Sequence, residues 1–375
     1  MIRGPMAPKS GPVLIVGPVP PPYGGMALQA RALVKRLRGD GIAAELLPTN
    51  PPVPAPIGRV KGARTLVQSI LFLARLTRAL CRFRVVHLLA ASHWYFVLRV
   101  APTVLLGTLF GRRIIINYRG GEAPDFFARF TWLVLPILRR ADAIVVPSVY
   151  LQRVVEKYGF RAAIIANFVD LERFRYRQRD KLKPKLLVTR SLEPLYNVKM
   201  ALEAFAIIQR KYPDAVIDVV GGGSEEAALR EWVQRRGLTG VCFHGAVPHE
   251  EIPHFLANAD IFLNPTNADN MPLNLLEAFA AGVPVVTTNV GGIPDLLGSV
   301  EAAMLVDPND AAAMAAKIEE LLCRPELAVR LTRQARSLCE QTSWSRAGRL
   351  WRDVYEAGAS EHAAKDVSTI NQNIV

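Results

Sequence analysis

DNMPLNLLEAFAAGVPVVTTNVGGIPDLL occupies residues 269–297, and its punctuation decides the fold. Asp269 or Asn270 stands where a helix is capped, Pro272 falls in the first turn, and Gly282 ends it. PVVTT (284–288) follows as a short β-branched run, then the tight turn Gly291-Gly292 and a second helical stretch. A helix, a strand apolar on both faces and a glycine turn, in that order, are the parts of a parallel sheet covered by helices. The helix N-terminus offers N–H groups and a positive dipole end to an anion. Asp269 and Glu277 are about two turns apart if one helix runs through both. With Asp269 in the preceding loop, the pair could grip two ends of an extended ligand. An ordinary capped helix with one buried Glu reads from the same residues.

The same alternation extends in both directions. VLIVG (13–17), VVHLL (85–89), IIINY (114–118) and AIVVPS (143–148) precede helical patterns in the first half. KLLVTR (185–190), AVIDVVGGG (215–223), VCFHG (241–245) and DIFLNP (260–265) do so in the second. The fold class is therefore α/β, two Rossmann-like domains whose parallel sheets carry ligands at their carboxyl ends. FRYRQRDKLKPK (174–185) is polar and charged, and the domain boundary is expected there. The expected domains are 1–175 and 184–342, with a last helix at 343–357 and a tail at 358–375.

The 375 residues are 50% hydrophobic and 21% charged, which excludes a disordered or fibrous chain. Of the 46 Lys+Arg, 27 lie in residues 1–180 beside only 9 of the 33 Asp+Glu. A basic half joined to a mildly acidic half points to domains with different partners. The four cysteines are scattered, which argues against a disulfide framework or a zinc site. The apolar run at Val13–Val16 is too short for a signal peptide. Residues 85–111 carry one charge, Arg99, but Pro102 and His93 interrupt them, so a buried strand–helix pair is expected rather than a membrane span.

Several segments carry a family resemblance. Residues 269–297 resemble the Glu-x7-Glu motif and Gly-Gly loop of retaining GT-B glycosyltransferases of the family-4 type. PVPPPYGGMALQARALVKRL (18–37) resembles that family's proline-and-glycine loop, and IIANFVDLERF (164–174) its inter-domain crossing. Residues 219–265 match its second-domain pattern in order and spacing, and TSWSRAGRLWRDVYEA (342–357) resembles its closing helix, which returns to the first domain.

The resemblance implies GT-B architecture, with both sheets facing an inter-domain cleft, and a UDP- or GDP-linked sugar as donor. In the family's terms Glu277 holds the ribose and Asp269 the sugar hydroxyls. Backbone groups around Asn270, Met271, Pro272 and Leu273 contact sugar and phosphates, and Val247 lies near the base. Gly24 and Gly25 approach the phosphates, and Arg190 neutralises the departing diphosphate. No cofactor or metal is called for. Three positions depart from the pattern. Asp269 is one methylene shorter than the usual Glu. Tyr196 stands at a common Lys, with Lys199 one turn later. Arg119 stands where the family often has a His, and can bind an anion but not act as a base. His93 is a packed or solvated histidine, or an acceptor contact. The implied activity is retaining sugar transfer to a glycan or lipid-linked acceptor in polysaccharide assembly. The other reading is a catalytically weak nucleotide-sugar-binding partner, with an epimerase behind it.

Residues 59–84 place Arg64, Arg75, Arg78 and Arg82 within about 60° on a helix, opposite Leu66, Ile70, Leu73, Leu76 and Leu80. This is either a domain helix with its apolar side in the core or a surface for anionic lipid. With no nucleic-acid module recognisable, the expected partner is an anionic membrane surface, and the expected location is cytoplasmic and peripheral.

Overall fold

The computed structural model describes residues 11–21, 23–54 and 61–357. The chain divides into two compact units, residues 1–166 with 345–375, and residues 167–344. Each holds one six-stranded sheet, and every strand pairing is parallel.

In the first unit the strands are β1 (Val13–Gly17), β2 (Ala44–Pro48), β3 (Val85–Ala90), β4 (Arg113–Tyr118), β5 (Ala143–Val146) and β6 (Ala163–Ile164), in the order β2-β1-β3-β4-β5-β6. The helices that matter below are α1 (Gly25–Gly39), α2 (Lys61–Leu80), α3 (Ala101–Leu109), α4 (Ala123–Arg129), α5 (Thr131–Leu138) and α6 (Val149–Glu156). Leu14, Val16, Val86, Leu88, Ile114 and Ile116 alternate along their strands and share one core with Phe72 and Leu76 of α2, Val104 of α3 and Val134 of α5. The strand–helix pair expected within 85–111 is β3 followed by α3, with Pro102 in the first turn of α3. Among the described residues no helix is long and apolar enough to cross a membrane.

The second unit contains β7 (Lys185–Thr189), β8 (Val216–Val220), β9 (Val241–Gly245), β10 (Ile261–Asn264), β11 (Val285–Thr288) and β12 (Met304–Val306), in the order β12-β11-β10-β7-β8-β9. Its helices are α7 (Val198–Lys211), α8 (Glu226–Arg235), α9 (Ile252–Asn258), α10 (Leu273–Ala280), α11 (Ile293–Leu297), α12 (Ala311–Cys323) and α13 (Pro325–Gln341). Asp310 starts α12 by accepting from Ala313 N at 2.8 Å. The final helix α14 (Trp344–Glu356) belongs to the first unit from Ser345 onward. There Arg113 donates to the carbonyls of Tyr355 and Val354 at 2.8 and 2.7 Å, capping the end of α14. The tail at 358–375 lies outside the described residues.

Three expectations need correction. The first change of unit falls at Ala166/Asn167, not within 174–185. The charged segment is held to the second unit rather than left as a polar linker. Arg179 is buried and donates to the carbonyls of Ala259, Gly282, Leu256 and Arg177 at 2.6–2.9 Å, with Ala281 at 3.2 Å. Burial pushes its guanidinium down to about 10, helped by the charge of Arg177. It therefore stays charged at neutral pH. Second, neither Asp269 nor Asn270 caps α10, whose N-cap is Pro272 with no side-chain cap. The Asp269 carboxylate is taken by its own turn and by Arg190, while Gly282 ends the helix as expected at φ 69°. Third, Leu66 and Ile70 of α2 are exposed, and only its C-terminal half, through Phe72, Leu76 and Leu80, enters the core.

Candidate functional site

The second unit gathers its predicted residues at the carboxyl ends of β7 and β10. Arg190 follows β7, and Asp269 lies in the loop after β10. Their side chains form an ion pair that is mostly shielded from solvent. Asp269 also accepts from Asn270 N at 2.7 Å, which fixes the carboxylate in its turn. The Arg190 guanidinium lies over the Tyr196 ring, 4.1 Å from its centroid. Tyr196 thus braces Arg190 with a ring face where the family pattern has a second cation. Lys199 sits in the first turn of α7, half exposed, with Nζ 3.6 Å from Glu203 Oε1. Asn274, in the first turn of α10, donates to Thr189 O at 3.1 Å and lies 3.4 Å from Arg190 Nη1. Arg190 Nε is buried without a hydrogen-bond partner among the described residues.

Two glycine turns hold these loops in place. A Cβ on Gly291 would stand 1.9 Å from Asp269 O, and one on Gly292 2.3 Å from Asn270 O. A Cβ on Gly221 would stand 1.8 Å from Arg190 O, and one on Gly223 2.2 Å from Leu192 O. Both glycine clusters therefore let backbone pack directly on the loops that present Asp269 and Arg190. The GGG at 221–223 is a close-packed strand–helix turn.

Glu277 is buried on α10 and faces a residue the sequence reading had not singled out. His249 Nε2 is 2.5 Å from Glu277 Oε1. Arg173 Nη1 is 2.9 Å from His249 Nδ1, and Arg173 Nη2 donates to His249 O. A guanidinium only donates, so Nδ1 is the lone-pair nitrogen and Nε2–H donates to Glu277. The one sequence signal for His249 was its place two residues after Val247, in the β9–α9 connection. Arg173 and His249 are 76 residues apart, so only the fold reveals the triad.

The peptide before α10 is fastened at Met271, whose carbonyl accepts from Asn167 Nδ2 at 2.6 Å. Asp269 thus lies in the loop before α10 and Glu277 one turn into the helix, one oriented by Arg190 and the other by His249. Asn270, Met271, Pro272 and Leu273 form the segment between them.

In the first unit the predicted residues occupy the carboxyl edge of the other sheet. Gly24 is the N-cap of α1 and Gly25 its first residue. A Cβ at either meets no atom within 4 Å, so the chain itself does not demand glycine there. Arg119 follows β4, its N–H donates to Ala90 O at 2.9 Å, and burial lowers its guanidinium to about 10. It remains a cation at neutral pH. His93 has φ 58° and is half exposed, with Nε2 3.4 Å from Glu122 Oε2 and its ring edge-on to Phe126. A non-glycine residue in that left-handed region is uncommon and clusters at functional turns. His87 is fully buried, its ring tilted against Trp351 with centroids 4.3 Å apart, and bonded to Tyr355 Oη and Asn117 Nδ2 at 2.7 and 3.1 Å. It is a core histidine.

Two tandem parallel-sheet units, each carrying its candidate residues on loops at the carboxyl ends of its strands, belong to the doubly wound α/β folds, whose ligands bind at that edge. The family comparison makes this specific. Residues 171–338 match the family described as Glycosyl transferases group 1, and residues 23–173 match Glycosyltransferase Family 4. The chain belongs to the group 1 glycosyltransferases. It is 29% identical over 261 residues to a GDP-mannose-dependent alpha-(1-6)-phosphatidylinositol monomannoside mannosyltransferase of Mycolicibacterium smegmatis, covering 61% of this chain and 66% of that protein. Over 235 residues it is 28% identical to a glycogen synthase of Mycobacterium tuberculosis, covering 60% and 56%. The matches span about half to two thirds of these relatives' lengths. The fold is that of Anabaena HepE, solved with UDP and glucose, at TM-score 0.72 and 16% identity, covering 91% of this chain and 98% of that one. The architecture is therefore GT-B.

Proposed function

We propose that the protein transfers a sugar from a nucleotide-diphosphosugar to a hydroxyl of a glycan or lipid-linked acceptor, with retention, in polysaccharide assembly. The observation that carries this reading is the anion-ready corner of the second unit. Among the described residues the buried Arg190 Nε has no acceptor, and Asn274 ties the Arg190 segment to the first turn of α10, which has no side-chain cap. A diphosphate oxygen supplies what both lack. Glu277 takes the ribose hydroxyls, and Asp269 a sugar hydroxyl. The residues from Asn270 to Leu273 contact the sugar and phosphates, and Val247 borders the base. As the sugar–phosphate bond breaks, negative charge grows on the leaving diphosphate, and Arg190 with the α10 amides stabilises it. The acceptor attacks the face the leaving group departs from, and the donor phosphate takes the acceptor proton. The protein contributes positioning and electrostatics rather than a covalent nucleophile. Arg119 is an anion-binding group, Gly24 and Gly25 leave room for phosphate, and His93 is an acceptor-side contact. The relatives named above include a GDP-mannose user and a structure holding UDP, which supports either base.

A donor screen that reads released nucleotide, with glycolipid extract as acceptor, tests the proposal. Glu277→Gln and Arg190→Ala should each lower transfer at least about tenfold in folded protein. Normal transfer by either folded variant refutes the site. Tyr196 in place of a cation favours one other reading, a donor-binding partner without turnover. Donor binding with neither hydrolysis nor transfer would establish that one instead.

A further inference from the structure

Of the nine large hydrophobic residues exposed among the described residues, eight belong to the first unit. Leu66 and Ile70 on α2 are 63% and 57% exposed, Leu109 on α3 is 78%, and Trp94 and Trp132 are 76% and 74%. They share one layer. α2 touches α3, and α3 touches α5, which carries Trp132. Trp94 lies in the turn leading into α3, where Arg99 Nη1 donates to Ser69 Oγ of α2 at 2.8 Å. All these helices pack on the same face of the sheet, so their outward residues lie on one side of the unit. Scattered exposed leucines need no explanation, but two tryptophans and three aliphatics on adjoining helices do.

The charge around this surface selects its partner. Residues 46–121 hold eleven Lys+Arg and no Asp or Glu. Arg75 and Arg78 of α2, with Arg82 just beyond it, are exposed where the chain turns toward β3. Arg139 and Arg140 are exposed where it turns toward β5, at the same edge of the sheet.

We propose that this helical layer seats the protein on an anionic phospholipid bilayer, with Trp94, Trp132, Leu109, Leu66 and Ile70 entering the interface and the arginines meeting lipid phosphates. Tryptophan is the side chain best suited to the headgroup boundary, and leucine and isoleucine supply apolar area below it. Arginines at the edge reach phosphates while their stems lie along the apolar surface. A symmetric dimer through the same face would bring together two surfaces on which arginines outnumber acids, so a second copy fits less well. The exposure of Leu66 and Ile70 changes the nature of the contact. Arginines on a helix with a buried apolar side could only touch a membrane electrostatically, whereas this layer can insert.

The test is sedimentation of the full chain with vesicles of phosphatidylcholine alone or mixed with phosphatidylglycerol, and tryptophan quenching by lipids brominated in the acyl chains. Wild type should bind the mixed vesicles, more weakly in high salt, and its emission should shift to the blue and be quenched. Trp94→Ser with Trp132→Ser should weaken binding about tenfold, and Leu66→Ser with Leu109→Ser comparably. Arg75→Gln, Arg78→Gln and Arg82→Gln together should abolish the preference for phosphatidylglycerol. All these side chains are exposed, so circular dichroism and Tm should be unchanged. Binding without quenching, or no binding, overturns the proposal. Lipid-independent dimerisation broken by the tryptophan substitutions would assign the face to a second copy. No sugar donor is used, so failure here leaves the transferase reading standing.

Discussion

His249 Nε2 lies 2.5 Å from Glu277 Oε1, and Arg173 on the other side of the ring decides which atom carries the proton. With Nδ1 accepting from Arg173, the imidazole is neutral and hands its one N–H to the carboxylate. Glu277 is thereby held in one rotamer as an acceptor. His249→Ala should raise the Kd of UDP or GDP about tenfold by calorimetry, the scale of one charge-assisted hydrogen bond. His249→Gln, which can still donate, should recover part of it. A lower Tm with unchanged Kd in His249→Ala would reduce the residue to a packing role.

Arg190 and Asp269 already neutralise each other. If the corner binds a donor as proposed, an incoming diphosphate draws on a cation that is partly spent, and Asp269 has to let go of it to reach a sugar hydroxyl. Asp269→Asn should accordingly bind UDP or GDP no more weakly than wild type while transferring sugar at least about tenfold more slowly. Arg190→Ala should lose both. Equal loss of nucleotide affinity in the two variants would contradict this division of labour.

Much of this was legible in the sequence because the strands are β-branched runs with glycine or proline at their ends. β1, β3, β4, β7, β10 and β11 fall where those runs lie. The strands without such runs, β2 (AELLP) and the short β6 and β12, are sheet edges or next to them, and neighbours rather than composition make them strands. Arg179 reads as linker because a charged residue is expected in water, yet the carbonyls it satisfies come from segments about 80 and 100 residues away. Asp269, Glu277 and Arg190 were visible as motif positions. Their partners were not, since Arg173–His249 and Arg190–Asp269 are contacts between distant parts of the chain.

Gly291 and Gly298 separate close approach from backbone strain. Both have positive φ, 56° and 57°, so alanine strains either one. Only at Gly291 would the new Cβ meet a neighbour, Asp269 O at 1.9 Å, whereas at Gly298 nothing lies within 4 Å. Gly298→Ala should cost roughly 1–3 kcal/mol of stability and leave transfer intact. Gly291→Ala should also displace the Asp269 turn and lower transfer to the level of Asp269→Asn. Matching activities in the two glycine variants would mean that the Gly-Gly turn does not hold the acid.

His87 makes the first unit sensitive to acid. Burial, with the charge of Arg119, lowers its pKa from 6.5 to about 3. Asn117 donates to Nε2 and Tyr355 accepts from Nδ1–H, an arrangement available only to the neutral ring. The unfolded chain binds this proton near pH 6.5 and the folded chain does not. Between these two pKa values the unfolded state holds more protons, so stability falls as pH falls. Above pH 6.5 the contribution is complete. From pH 7 to pH 5 the loss through this group is about 2 kcal/mol. Urea unfolding of wild type at pH 7, 6 and 5 should show that decline on top of the other titrations. His87→Gln should be less stable at pH 7, because it loses the ring contact with Trp351, but its curve should be flatter by the same about 2 kcal/mol. Parallel curves for the two proteins would mean that the ring takes up a proton in the folded state, with α14 moving to allow it.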